Sequence, residues 1–192
     1  MTYIPQNFEQ CIGIPGLSEN MLRNHFALYE GYVKNTNTIA ELAKTIEPGT
    51  PQSAELRRRF GWEWDGMRLH ELYFGNLTKE DVEPSSAPEL MKAIEQAYGS
   101  FDAWKMDIEK AMMMRGIGWV VFAKDRETGG LFTLWINEHD GGHLVGTEPL
   151  LVLDVFEHAY MTDYGIKRAD YVDVVMHAID WRVVEERFVK SS

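Results

Sequence analysis

Pro149-Leu-Leu-Val-Leu-Asp154-Val-Phe-Glu-His158-Ala-Tyr160 is the stretch on which the reading of this chain turns. Leu150 to Leu153 form a short unbroken apolar run, the pattern of a strand buried on both faces. The run ends on a carboxylate, Asp154. A charge at the end of a buried strand needs compensation, and a helix N-terminus, a hydrogen-bonded turn or a metal ion could each supply it. His158 follows four residues later.

Two further strands precede this one. Gly118–Lys124 and Leu131–Ile136 flank the turn Arg126-Glu-Thr-Gly-Gly130, the pattern of a β-hairpin. Before them, one helix is expected over Pro88–Tyr98, stopping at Gly99, and another from the cap Ser100 to about Gly116. After Asp154 a single closing helix is expected over Ala169–Phe188. At the other end of the chain, apolar residues recur at helical spacing from Ser18 to about Ile46, with Leu22, His25, Phe26, Tyr29 and Val33 on one face. A second helix runs over about Ser53–Phe74, carrying Leu56, Phe60, Trp64, Met67, His70 and Phe74, and Gly75-Asn76 ends it. The expected fold is α+β: an N-terminal antiparallel helical hairpin over residues 1–82, then a C-terminal α+β domain over residues 83–192 with a three-stranded antiparallel sheet and helices. Glu83-Pro-Ser-Ser-Ala-Pro88 is the expected linker.

The chain has 192 residues, of which 45% are hydrophobic and 12% aromatic, enough for a sizeable core. A net charge of −11 argues against nucleic acid and anionic membranes as partners. Cys11 is the single cysteine, so no internal disulfide and no Cys-x-x-Cys zinc pair can form. The start, Met1-Thr-Tyr-Ile-Pro5, lacks a signal peptide's basic and apolar stretches, and no run approaches a membrane span. A cytoplasmic protein is expected.

There are six histidines: His25, His70, His139, His143, His158 and His177. A lone histidine on an apolar helix face is more often a packed core residue than a ligand, and that reading applies to His25 and His70 singly. His143 and His177 read as surface or structural residues. His139 and His143 sit four apart, but Gly141-Gly142 between them points to a loop.

The segment from Asp154 to Tyr160 resembles the signature Asp-x-aromatic-Glu-His-Ala-aromatic of the iron/manganese superoxide dismutase family. Tyr164–Val172 and Asp180–Phe188 are similar to the opening and the end of that family's last helix, and Tyr98-Gly-Ser-Phe101 and Gly116-Ile-Gly-Trp119 also match. His70-Glu-Leu-Tyr-Phe-Gly-Asn-Leu77 and Leu22-Arg-Asn-His25-Phe26 are similar to the helices that carry the family's other two ligands. The resemblance implies one manganese or iron ion per chain, held by His25, His70, Asp154 and His158. Such a set of imidazoles and a carboxylate, with an open position, suits a redox-active first-row metal. It also implies conversion of superoxide to dioxygen and hydrogen peroxide, tuned by hydrogen bonds around the centre.

The chain departs from the family pattern in places. The family's tuning glutamine comes from the second helix or from the loop after the second strand. Gly66 holds the helix position here, and His139 is the expected donor in the loop. The family's funnel histidine and tyrosine positions hold Tyr29 and Val33. Tyr32 lies one place off, about 100° round the helix from the tyrosine position. Tyr29 and His139 are therefore the expected catalytic residues. The tyrosine that pairs with the funnel histidine across the family's dimer interface is Met161 here, and Phe156 stands where many members have tryptophan. In the family the glutamate at the position of Glu157 bonds a ligand histidine of the other subunit, so the resemblance implies a homodimer in which Glu157 would reach the partner subunit's His158, the alternative being a solvated carboxylate at a helix start. The Met112-Met-Met114 run reads as core filler. Three functions stand: a superoxide dismutase with an altered funnel, a metal-dependent oxidoreductase acting on another small molecule, and a non-enzymatic dimeric relative.

Overall fold

The structure, a computed structural model, describes residues 2–190. Two long helices open it, α1 (Glu19–Leu42) and α2 (Pro51–Gly75). Ser18 caps α1 by accepting from the Met21 amide, and Thr50 caps α2 by accepting from the Ser53 amide, each satisfying one of the unpaired first-turn N–H groups. Asn35 bonds Glu63 and Tyr29 bonds Glu71, so rising numbers on α1 meet falling numbers on α2 and the pair is antiparallel.

Helices α3 (Pro88–Tyr98) and α4 (Phe101–Met112) follow. Gly99 separates them with φ +86°, a left-handed turn that glycine adopts without steric penalty, and Ser100 caps α4. Because α4 ends at Met112, the methionine run splits. Met112 is buried, whereas Met113 and Met114 are each 48% exposed, so the core-filler reading holds for Met112 alone.

The sheet is antiparallel in the order β2–β1–β3: β1 (Gly118–Asp125), β2 (Leu131–Asn137) and β3 (Thr147–Asp154). Its register sets Trp119 opposite both Ile136 and Asp154, the residue that ends β3. Helix α2 packs on β3, and α4 packs on β1 and β2. Asn76, fully buried just past α2, accepts from the Val152 amide and donates to the Val152 carbonyl, as a neighbouring strand would. Arg187 adds bonds to Asn76 Oδ1, Leu72 O and Leu150 O. These contacts lock the helix bearing His70 against the strand bearing Asp154.

A four-residue helix, α5 (Met161–Tyr164), leads to α6 (Arg168–His177) and α7 (Trp181–Lys190), where one closing helix was expected. The break lies at Ala178–Asp180. There the backbone turns to the segment after α2: the Thr78 amide donates to Ala178 O, the Asp180 amide donates to Asn76 O, and Leu77 bridges Ile179. The Asp180 carboxylate accepts from the Arg182 amide and opens the new helix. No described helix is long and apolar enough to cross a membrane.

Candidate metal centre

His25 on α1, His70 on α2, Asp154 at the end of β3 and His158 just beyond it bring one ligand atom each to a common point, all within 4.8 Å of one another. His25, His70 and Asp154 are buried, and His158 keeps a quarter of its side chain exposed. Asp154 Oδ1 accepts from the Phe156 amide at 2.8 Å, which fixes the turn leading to His158. Its Oδ2 then faces three imidazole Nε2 atoms: His158 at 3.1 Å, His25 at 3.2 Å and His70 at 3.8 Å.

The protonation of these groups tests whether a cation fits. His70 Nδ1 lies 2.6 Å from Gly66 O, and a carbonyl can only accept, so Nδ1 carries the hydrogen. Burial holds the His70 imidazole well below its ordinary pKa, so the ring is neutral and Nε2 presents a bare lone pair. That lone pair is buried, has no hydrogen-bond partner and points toward a carboxylate. Burial would raise the Asp154 carboxyl, but His158 and His25 outweigh it and hold the group well below the usual carboxylate range. A bare lone pair of His70 directed at a buried anion that already accepts from His25 and His158 is unfavourable without a positive centre between them. Three imidazoles and a carboxylate oxygen form the donor set of a first-row transition metal.

A second layer surrounds these residues. The Trp119 indole N–H donates to His139 Nδ1 at 3.1 Å, so the neutral His139 ring carries its hydrogen on Nε2. That N–H donates to the Tyr32 hydroxyl at 2.8 Å, leaving the hydroxyl's own proton free to point elsewhere. The Tyr32 ring stacks on His70 at 5.1 Å, and Phe156 stacks on both His139 and His158. Gly66 makes room for this: a Cβ there would lie 2.7 Å from the Tyr32 ring. A larger residue at position 66 would require the Tyr32 ring to shift from this position.

Tyr29 is buried, but its hydroxyl donates to Glu71 Oε1 at 3.0 Å and accepts from the Gln6 amide at 2.9 Å. The hydroxyl beside His139 is that of Tyr32, which sequence reasoning set aside, while Val33 packs in the core. A legible signal existed. Seven residues from His25 bring Tyr32 to within about 20° of the same helix face, whereas eight bring Val33 about 80° away. Glu157 is exposed and Met161 is 45% exposed; Glu157 borders a surface cleft lined also by Met113, Met114, Ile117 and Ile166.

The buried histidines set a pH dependence. Burial lowers His25 and His70 and pushes His139 down to about 4, against an ordinary value of 6.5. Between those values the unfolded chain binds more protons than the folded one, so stability rises with pH. Chemical denaturation of the metal-free protein is expected to show the midpoint falling as pH drops below about 6.5; a midpoint unchanged between neutral pH and pH near 5 would contradict these burials. Asp154 adds a loss of the same sign only at lower pH, where unfolded carboxylates protonate.

A helical hairpin and a sheet domain that close three imidazoles and one carboxylate round a single point define a mononuclear metalloprotein. Residues 85–187 match the family model of the C-terminal domain of iron/manganese superoxide dismutases. The chain is 38% identical to superoxide dismutase [Fe] of Aquifex pyrophilus, over 97% of this chain and 88% of that protein. It is 36% identical to superoxide dismutase [Mn] 2 of Haloferax volcanii, over 92% and 89%, and 31% identical to superoxide dismutase [Fe] of Saccharolobus solfataricus, over 92% and 87%. The chain belongs to the iron/manganese superoxide dismutase family, oxidoreductases built around one iron or manganese ion per chain.

Proposed function

We propose that this chain converts superoxide to dioxygen and hydrogen peroxide with His25, His70, Asp154 and His158 as the metal ligands. The observation that carries the assignment is the bare, buried Nε2 of His70 aimed with its neighbours at Asp154 Oδ2. The bound ion supplies the one-electron couple. The remaining work falls to the protein. Tyr32 offers a hydroxyl proton beside the ligands for peroxide formation, which consumes two protons. His139 holds that hydroxyl as an acceptor, Trp119 fixes the His139 tautomer, and Phe156 packs against both the His139 and the His158 ring. Tyr29 serves as a positioning residue, tying the N-terminal segment to Glu71 beside His70. The reading of a different small-molecule substrate rests on the loss of both the funnel histidine and the funnel tyrosine; Tyr32 supplies a hydroxyl in place of the second, while the first position keeps Tyr29.

The active form in this reading is a homodimer. Glu157 is exposed on a cleft that mixes Met113, Met114, Ile117 and Ile166 with Arg115 and Arg168, a surface on which a second copy would find both apolar and charged partners, and in this reading Glu157 bonds the partner subunit's His158. Sedimentation of the metal-loaded protein is expected to give a dimer and of Glu157→Ala a larger monomer fraction; a monomeric wild type would contradict this part. A cytoplasmic location fits the free, buried thiol of Cys11. The function itself is tested by superoxide turnover of the metal-loaded protein. Consumption well above that of the same concentration of free metal is expected, and its absence would exclude the proposal.

A further inference from the structure

Above the His139–Tyr32 pair lies a residue that neither the ligands nor that pair accounts for. The Trp62 indole meets His139 edge-on at 4.5 Å and Tyr32 at 5.5 Å. On its outer side the Arg59 guanidinium lies 3.9 Å from the ring. Arg59 is itself held: it donates to Glu63, a carboxylate only 2% exposed, which also accepts from Asn35. The indole N–H donates to Glu138 Oε2 at 3.0 Å. Trp62 is therefore fixed from three directions, between a solvent-facing cation and the buried imidazole of His139.

Glu138 adds an independent observation. Among the described residues it is the one non-glycine with positive φ, at +50°. A left-handed glutamate is disfavoured and persists where its surroundings over-determine it. Here its amide donates to Ile117 O, and the flanking Asn137 and Gly141 exchange backbone bonds. The strained conformation does two things at once: it delivers the carboxylate to Trp62, and it sends the next residue, His139, inward to Trp119 and Tyr32.

We propose that Trp62, clamped between Arg59 and His139 and latched to Glu138, is a positioning residue that seals the His139–Tyr32 hydrogen bond from bulk water and so fixes the direction of the Tyr32 hydroxyl proton. A water admitted at this point would compete for His139 Nε2–H and for the Tyr32 oxygen, and the hydroxyl would lose its single orientation. The indole occupies that space, and its own N–H is satisfied by Glu138 instead of by a water. This inference rests on the reading of Tyr32 and His139 given above.

The test uses the manganese-loaded full chain. Trp62→Phe keeps a ring but loses the N–H donor. Glu138→Ala loses the acceptor, and Glu138→Gln restores one through its amide oxygen. Trp62→Phe and Glu138→Ala are expected to lower kcat about tenfold with KM little changed and metal content intact, and Glu138→Gln to recover most of the loss. In a Tyr32→Phe background the loss from Glu138→Ala is expected to disappear, which a merely structural role would not produce. In the metal-free protein, the His139 Nε2–H proton is expected to exchange with water faster in Glu138→Ala than in the parent. Unchanged kcat and exchange in both single variants, or a loss that persists undiminished with Tyr32→Phe, would overturn the seal. Tyr32→Phe alone separates the two readings: if it leaves turnover unaltered, the role given to Tyr32 fails; if it lowers turnover while the Trp62 and Glu138 variants do not, only the seal fails.

Discussion

Asp154→Ala should leave the protein with no more than background metal after expression with manganese and iron supplied. The substitution removes the only anionic donor in the cluster, and with it the atom that all three imidazole Nε2 groups face. It also removes the acceptor for the Phe156 amide, so the turn that presents His158 loses its anchor. Three neutral imidazoles alone neither balance the charge of a divalent or trivalent ion nor hold one another in place. Two readouts check this. Elemental analysis reports the ion directly. Thermal unfolding reports it through linkage, because a metal that binds only the folded state raises the midpoint with concentration, and the variant should lose that response. Asp154→Asn is the control for shape, since its oxygen can still accept from Phe156 while the charge is gone. Wild-type metal content in Asp154→Ala would refute the ligand assignment.

Removing the His139 imidazole is the second large change. His139→Ala strands the Trp119 indole N–H in the core and leaves Tyr32 without its donor. An unsatisfied buried donor costs about 1–3 kcal/mol, so a lower unfolding midpoint is expected. Turnover should fall roughly 10–100-fold, the usual scale for losing a residue that orients a metal site without touching the ion, while metal content stays near wild type. His139→Gln gives the diagnostic contrast. A glutamine oxygen can accept from Trp119 and its amide nitrogen can donate to Tyr32, reproducing both bonds. Partial recovery of turnover and midpoint is therefore expected. If His139→Ala keeps full activity, His139 plays no part in delivering the proton.

Much of this was legible in the residues. The apolar run ending in Asp154, the hairpin turn at Arg126–Gly130, the caps Ser18 and Ser100 and the stop at Gly99 are local signals, and local chemistry decides those features. What was not legible depends on partners distant in sequence. The break between α6 and α7 exists because Ala178–Asp180 trades helical hydrogen bonds for bonds to Asn76 and Thr78, about a hundred residues earlier, and apolar periodicity carries no trace of that exchange. Met113 and Met114 look apolar in a list, yet they lie past the last turn of α4 and leave the core. Tyr32 misses the family's spacing by one residue yet lies on the His25 face of the helix, and it is the helix angle that decides which side chain reaches the site. Gly66 carries no side chain where the Tyr32 ring packs, a contact that its place in the sequence does not reveal. The convergence of His25 and His70 with Asp154 could be expected only by likeness to a known family, since each histidine alone reads as an ordinary core residue.

The central claim is that one cation sits among four particular atoms. A crystal of the metal-loaded protein, with anomalous data collected on either side of the manganese and iron absorption edges, tests it most directly. One anomalous peak per chain is expected, within bonding distance of the Nε2 atoms of His25, His70 and His158 and of Asp154 Oδ2. A peak elsewhere, or none in protein loaded with both metals, would contradict the account.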